Sequence, residues 1–154
     1  MGKERERIDE VLRSIRKLNR ALFQLLREAA DLSDATAVQL MVLKTLSKQP
    51  DISLSELADH LQLGNSTMSG VVERLVTSGL IVRERSKEDR RTIVMRLTEA
   101  GMAKQEEAFG EDAYLTKRLS KILELPDEQL VLLLDTHQQL ITKLEQRDEE
   151  DHGA

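Results

Sequence analysis

Residues 52–97 read ISLSELADHLQLGNSTMSGVVERLVTSGLIVRERSKEDRRTIVMRL, and their punctuation decides the fold. Ser53-Leu54-Ser55-Glu56 has the form of a capping box, in which Ser53 caps a helix and Glu56 reaches back to it. Ile52 and Leu57 are spaced for the accompanying hydrophobic staple. The helix so opened runs to about Leu61, with Leu54, Leu57, Ala58 and Leu61 inward. Gln62-Leu63-Gly64 is a short turn, and a second helix follows from about Asn65 to Ser78. Its inward face is Met68, Val71, Val72, Leu75 and Val76. Its outward face is Asn65, Ser66, Ser69, Gly70, Glu73 and Arg74. Gly79 can take the positive φ that ends a helix. Leu80 to Arg85 and Thr92 to Leu97 then read as strands. Ile93, Met95 and Leu97 alternate with Thr92, Val94 and Arg96, the period of a half-buried strand.

The loop between the strands, Ser86-Lys87-Glu88-Asp89-Arg90-Arg91, holds three cations and no apolar side chain. Such a loop suits phosphates or a minor groove better than a packed interior. Two helices and a hairpin with a basic tip form a device for gripping duplex DNA. The small polar first turn of the second helix would allow close entry into a major groove, with exposed amides available to a phosphate. The alternative is that these small residues simply fill an exposed turn.

Working outward, residues 5–30 form one long helix. Ile8, Val11, Leu12, Ile15, Leu18, Leu22, Leu25, Leu26 and Ala29 recur at three- and four-residue steps. Arg13, Arg16, Lys17, Arg20 and Arg27 occupy the opposite face. A stripe this long cannot be buried against a small domain, so pairing with another long helix is expected, in this chain or a second one. Ser33 is expected to cap the next helix, with Asp34 in its first turn and Val38, Met41, Val42 and Leu46 buried. Pro50 forces Gln49 out of helical geometry and ends it. On the other side, Thr98 caps a helix expected to reach about Leu123, with Gly110 marking a bend or a close backbone contact. Pro126 introduces a last helix striped by Leu130, Leu133, Leu134, Leu140, Ile141 and Leu144. The acidic tail 148–154, DEEDHGA, is expected to fray.

The totals agree with this pattern. Charged residues are 33% and aromatics 2% of 154, as in a mostly helical chain of one domain. No cysteine is present, which excludes disulfides and zinc–thiolate sites and fits a reducing cytoplasm. No apolar run reaches the ~18 residues of a membrane span, and the first residues are too polar for a secretory signal. The net charge of −5 conceals an uneven distribution: residues 74–96 carry seven cations against three anions. That segment stands at +4 and the remainder at −9, and a local patch is what meets a phosphate. His60, His137 and His152 are scattered, with no metal-ligand spacing, and no metal or other cofactor is expected. Met41, Met68, Met95 and Met102 read as core fillers, while Tyr114 or Phe109 could line a cavity.

The order of elements is that of a winged helix-turn-helix, mainly α with a small β-hairpin, between helical arms. From Leu32 to Gly101 the chain also resembles the MarR (multiple antibiotic resistance regulator) transcription factors. The matching pieces are LSDATAVQLMVL, ELADHL, VVERLVTSGLIVR, EDRR and LTEAG, and the segment from Val72 to Gly101 is the most diagnostic. The resemblance implies a homodimer on a palindromic double-stranded DNA operator. Helical regions 1–31 and 105–147 would form the dimer, and 32–104 the DNA-binding lobe. It places Asn65, Ser66, Thr67 and Ser69 at recognition-helix positions, and Asp89 and Arg91 in the wing motif whose arginine enters the minor groove. Arg74 matches a helix arginine able to pair with the wing acid, so that Asp89, held by a cation, would aim Arg91 outward. Arg90, with Lys87 beside it in the wing, could serve a phosphate or exchange roles with Arg91. Gly70 departs from the many relatives that carry a long basic side chain there, so a bidentate guanine contact cannot come from this position. The resemblance also implies a small, often phenolic or lipophilic, effector.

A dimeric repressor relieved by such an effector is the leading expectation. The alternative is a winged-helix scaffold for protein partners that never touches DNA. For an enzyme the sequence offers no nucleophile–base arrangement, no phosphate-cradling GxxxxGK[ST] loop and no acid pair in an apolar setting.

Overall fold

The computed structural model describes residues 2–146; the 148–154 tail and His152 lie outside them. The long first helix, α1 (Gly2–Leu32), is followed by α2 (Ala37–Lys48), strand β1 (Ile52–Ser53), α3 (Leu54–His60) and α4 (Asn65–Thr77). Strands β2 (Ile81–Arg85) and β3 (Ile93–Leu97) make the hairpin, and α5 (Glu99–Phe109) and α6 (Tyr114–Leu119) follow. Met1–Arg118 forms one compact unit and Leu119–Ala154 a second. Within the described part of the second, a 3-10 turn (Ser120–Glu124) precedes α7 (Asp127–Glu145), which has no buried side chain.

The core of the first unit lies where α2, α3 and α4 meet the hairpin base. Leu40, Leu43, Leu46, Leu57, Met68, Leu75, Ile81 and Met95 are each at most 2% exposed. Burial of one such side chain stabilises by roughly 1.5–3 kcal/mol. The Ser53 capping box forms as expected: Glu56 N–H donates to Ser53 Oγ at 3.2 Å, and Ser53 N–H donates to Glu56 Oε2 at 2.7 Å. That second bond, reinforced by the Ser53 hydroxyl, holds the Glu56 carboxyl below the usual range. Ser53 and its neighbour Ile52 also pair antiparallel with Val94 and Met95, giving a three-stranded sheet ordered β1-β3-β2. A two-residue strand has no periodicity, so only its partner reveals it.

Three expectations are corrected. Ser33 and Asp34 do not open α2. Asp34 takes φ +50 and closes α1, with Ala35 N–H bonded to Ala30 O and Asp34 N–H to Asp31 O. This is a Schellman closure with an aspartate in the left-handed position. Thr36 is the cap of α2, in a complete capping box with Gln39. Gln62 (φ +54) closes α3 by the same pattern of bonds, whereas Gly79 (φ +73) closes α4 as its residue type foretells.

The helix expected from Thr98 to about Leu123 stops at Phe109. Gly110 adopts φ −63 and ψ 171, and a Cβ there would press on the Glu106 carbonyl oxygen. The chain restarts as α6 after Ala113 N–H bonds Gly110 O.

Simple alternation fails in β3. Val94 and Met95 are both buried, while Ile93 is 47% exposed. Ile93 pairs with Arg85 at the strand ends next to the wing loop, and Val94, on the other face, lines a cleft with Pro50, Glu84, Lys87 and Arg96.

Gln49 does leave helical geometry before Pro50. In α1 only Ala29 and Ala30 are buried, and Ile8, Val11, Leu12, Leu18 and Leu22 are 39–59% exposed. The apolar stripe is therefore real and largely uncovered.

Candidate nucleic-acid interface

Two elements present the polar residues singled out above. Helix α4 begins at Gly64, which makes no side-chain cap bond, so no cap side chain occupies its first amides. Asn65, Ser66, Thr67, Ser69 and Arg74 are exposed and Gly70 is half-buried. Met68, Val71, Val72 and Leu75 hold the opposite face in the core, and this fixes which face turns outward. A Cβ at Gly70 would meet nothing within 4 Å, so the absence of a side chain there is not imposed by packing.

The wing is a self-tied loop. Ser86 N–H donates to Thr92 O and Thr92 N–H donates to Asp89 O, both at 2.9 Å. The Ser86 hydroxyl oxygen accepts from the amides of Glu88 (3.2 Å) and Asp89 (3.3 Å). Asp89 accepts from Arg91 N–H through Oδ1 at 3.0 Å and from the Thr92 hydroxyl through Oδ2 at 3.2 Å. Asp89 thus shapes the wing through backbone and hydroxyl donors. No cation lies within ion-pair distance of it among the described residues, so the expected Arg74–Asp89 pair is absent. Lys87, Arg90 and Arg91 remain exposed at the tip.

The ion pair that ties helix to wing runs the other way. Arg83 on β2 donates to Glu73 on α4 at 2.8 Å. Arg83 shares the sheet face of Ile81 and Met95, the face turned to α4. On the other face, Arg96 makes a two-point pair with Asp51 through Nε (2.7 Å) and Nη2 (2.8 Å), with Glu84 4.0 Å away. Arg96 holds the Asp51 carboxyl below the ordinary range, and Asp51 raises the Arg96 guanidinium. Asp51 has φ +67, and its N–H extends the sheet to Met95 O. Sequence inspection missed both pairs. Arg83 and Arg96 counted there as free basic charge, and 45 residues separate Asp51 from its partner. Of the seven cations in 74–96, these two are committed to holding the fold.

Gly79 and Gly101 lock the hairpin base. The Thr98 hydroxyl donates to Gly79 O at 2.6 Å and accepts from Gly101 N–H at 3.0 Å. A Cβ at Gly101 would collide with the Leu80 carbonyl. The LTEAG segment thus needs its threonine and glycine for a backbone approach.

Away from this surface, Tyr114 donates to Glu28 Oε2 at 2.7 Å and accepts from Arg118 at 2.9 Å. The phenol–carboxylate bond raises the Tyr114 hydroxyl and, with Gln24, lowers Glu28. Tyr114 borders a cavity of about 210 Å³ with Ala29, Leu32 and Leu115. Phe109 lines a separate open cleft with Ala103, Glu106 and Ala113, and also lies beneath the Lys44 ammonium, 4.9 Å from the ring centre. Among the described residues no three His, Asp or Glu side chains group as a metal site, and no helix is long and apolar enough to cross a membrane.

A helix-turn-helix whose second helix shows a polar face, followed by a hairpin with a cationic tip, defines a winged helix-turn-helix DNA-binding fold. Residues 35–93 match the MarR family. The chain is 31% identical over 121 residues to the HTH-type transcriptional repressor MdtR of Bacillus subtilis, covering 75% of this chain and 78% of that one. Among solved structures, a MarR family protein from Bacillus stearothermophilus superposes with a TM-score of 0.75 at 25% identity, over 92% of this chain and 97% of that one. A mutant MarR from E. coli complexed with operator DNA gives 0.68 at 26% identity, over 91% and 96%. The chain belongs to the MarR family of transcriptional regulators.

Proposed function

We propose that this chain is a homodimeric repressor that grips a palindromic double-stranded operator and releases it when a small effector binds. The carrying observation is the wing. Lys87, Arg90 and Arg91 stand exposed on a loop whose shape is set by Ser86, Asp89 and Thr92, so these charges meet phosphates or a minor groove with little ordering cost. Helix α4 enters the major groove by Asn65, Ser66, Thr67 and Ser69, with Gly70 allowing close approach and Arg74 reaching the backbone. The solved relative bound to operator DNA supports the same mode. With Gly70 contributing no side chain, discrimination comes from Asn65, Ser69, the wing and DNA shape.

A second copy covers the apolar faces. In α1 the stripe from Ile8 to Leu22 is open, and in α7 Val131, Leu132, Leu134 and Leu144 are 64–79% exposed. Apolar surface on this scale marks an association site. Regions 1–31 and 105–147 are accordingly assigned to the dimer, and the cavity beside Tyr114 supports an effector of small size.

Selection of bound sequences from a random duplex pool tests this directly. The expected product is a two-fold site with half-sites roughly 34–36 Å apart. A single asymmetric site, or a chain that sediments as a monomer, overturns the dimer. Arg91→Ala should weaken binding and lower the salt slope by about one for each wing contact; unchanged affinity across salt removes Arg91 from the interface. No binding to any duplex even at low salt turns the assignment to a protein scaffold.

A further inference from the structure

The wing does not use the other cationic feature of the molecule. Helix α1 carries Arg13, Arg16, Lys17, Arg20 and Arg27, all exposed, and no acidic residue occurs from Val11 to Arg27. At 3.6 residues per turn these five fall on one side, opposite Ile8, Ile15, Leu22 and Leu26. Asp9 and Asp31 close the face at its ends. Among the described residues none of the five is in an ion pair; Arg27 only stacks over Phe23, 5.9 Å from the ring centre.

The same helix shows what an ordinary solvated face looks like. Residues 3–10 read KERERIDE, with signs interleaved. From 13 to 20 the pattern reverses: Arg13–Arg16, Arg13–Lys17, Arg16–Arg20 and Lys17–Arg20 are like-charge neighbours at three- and four-residue spacing. Such pairs destabilise a helix and call for an external anion. Four of the five are arginines, whose planar forks match phosphate oxygens two at a time. Phe23, under Arg27, is an exposed aromatic at the edge of this face, while the main apolar stripe of α1, the side that would enter a lipid surface, lies opposite. From Arg13 to Arg27 the stripe runs about 21 Å, a rigid row suited to a line of backbone phosphates.

We infer that the basic face of α1 is a second phosphate-binding surface, which takes duplex DNA outside the operator contacts of α4 and the wing. This rests on the proposed DNA-binding function. Its source is flanking DNA on the same duplex or a separate segment, and in either case it acts by raising the local concentration of backbone around a bound dimer.

The test uses the full chain and a variant carrying Arg13→Gln, Arg16→Gln, Lys17→Gln and Arg20→Gln together, glutamine being a good helix former. Affinity is measured against salt on a duplex of about 20 base pairs holding the selected site and on one of about 80 base pairs with that site at its centre. The variant should match the parent on the short duplex. On the long one it should bind at least several-fold more weakly, with a salt slope smaller by roughly two to four. Equal behaviour of the two proteins on both duplexes overturns the inference and leaves the operator function intact. Failure of the parent on every duplex overturns the function and the inference together. Equal loss by the variant on the short and the long duplex places the stripe in the operator contacts and also overturns the inference. If an unlabelled 20-base-pair duplex of unrelated sequence joins the parent–operator complex as a third component, the source is a separate segment; otherwise it is the flank. Binding of the parent, but not the variant, to vesicles of 30% phosphatidylserine, with no effect of the variant on long DNA, would reassign the face to lipid.

Discussion

Leu57 and Leu18 are the same side chain on two helices of one chain, and their surroundings differ. Leu57 in α3 is fully buried, and Leu18 in α1 is 45% exposed. The charges follow the same division. In the lobe, Glu73 holds Arg83, Asp51 holds Arg96, and Asp89 holds its own loop. Along α1, Arg13, Arg16, Lys17 and Arg20 find no counter-charge within ion-pair distance among the described residues. The lobe is finished by its own residues. Helix α1 leaves both of its faces unmatched within the described residues, an exposed apolar stripe on one side and cations without counter-charge on the other.

Substitutions can break this contrast, beginning with the largest effect. Leu57→Ala should cost about 2–5 kcal/mol in reversible unfolding, because it leaves a cavity in a closed core. Leu18→Ala should change the stability of an isolated chain by under about 0.5 kcal/mol, yet lower the melting temperature of the associated protein and make it depend less steeply on protein concentration. Equal losses at the two sites would erase the distinction. Next come two glycines of opposite sign. Gly101→Ala should destabilise by about 1–3 kcal/mol, since its Cβ meets the Leu80 carbonyl. Gly70→Ala, in open space within α4, should stabilise by about 0.5–1 kcal/mol. Chemical denaturation of both variants checks the pair, and a loss at Gly70 would mean that this helix face is not open.

The smallest effect concerns the exposed wing base. The Asp51 carboxyl is held low by Arg96, so the folded state favours its ionised form. Its contribution is complete at pH values above the unfolded carboxylate, about 3.9, and is lost as pH falls through the lower folded value. Asp51→Asn should therefore narrow the stability difference between pH 7 and pH 3. Melts that fall equally in both proteins would remove the pair from the acid response.

Legibility follows the same line between local and distant causes. The Ser53–Glu56 box, the stop before Pro50, Gly79 at positive φ and the Thr98 cap were all readable, because each involves residues within a few positions of one another. Ser33 and Asp34 misled because a short polar pair fits either end of a helix. Which end it serves depends on whether Asp34 goes left-handed, and the Ala35–Ala30 bond decides that. At Gly110 a bend or a close backbone contact was readable, and the contact with the Glu106 carbonyl is real, but that the helix ends there was not written in the residue type. At the interface, the outward face of α4 and the exposed wing cations followed from the pattern. The roles of Arg83 and Arg96 did not, because a cation looks the same in sequence whether or not an acid waits across the sheet.

By itself the sequence determined the order of the helices from α1 to α4 and of the hairpin strands, the winged class, the outward side of α4 and the stripe along α1. Those properties rest on periodicity and capping, which act over one or two turns of chain. Only the tertiary structure decided that β1 exists, that Glu73 rather than Asp89 takes the helix-to-wing ion pair, and that Asp51 neutralises Arg96. Each of these depends on backbones brought together from ten to forty-five residues apart, and packing of the shared core sets that approach.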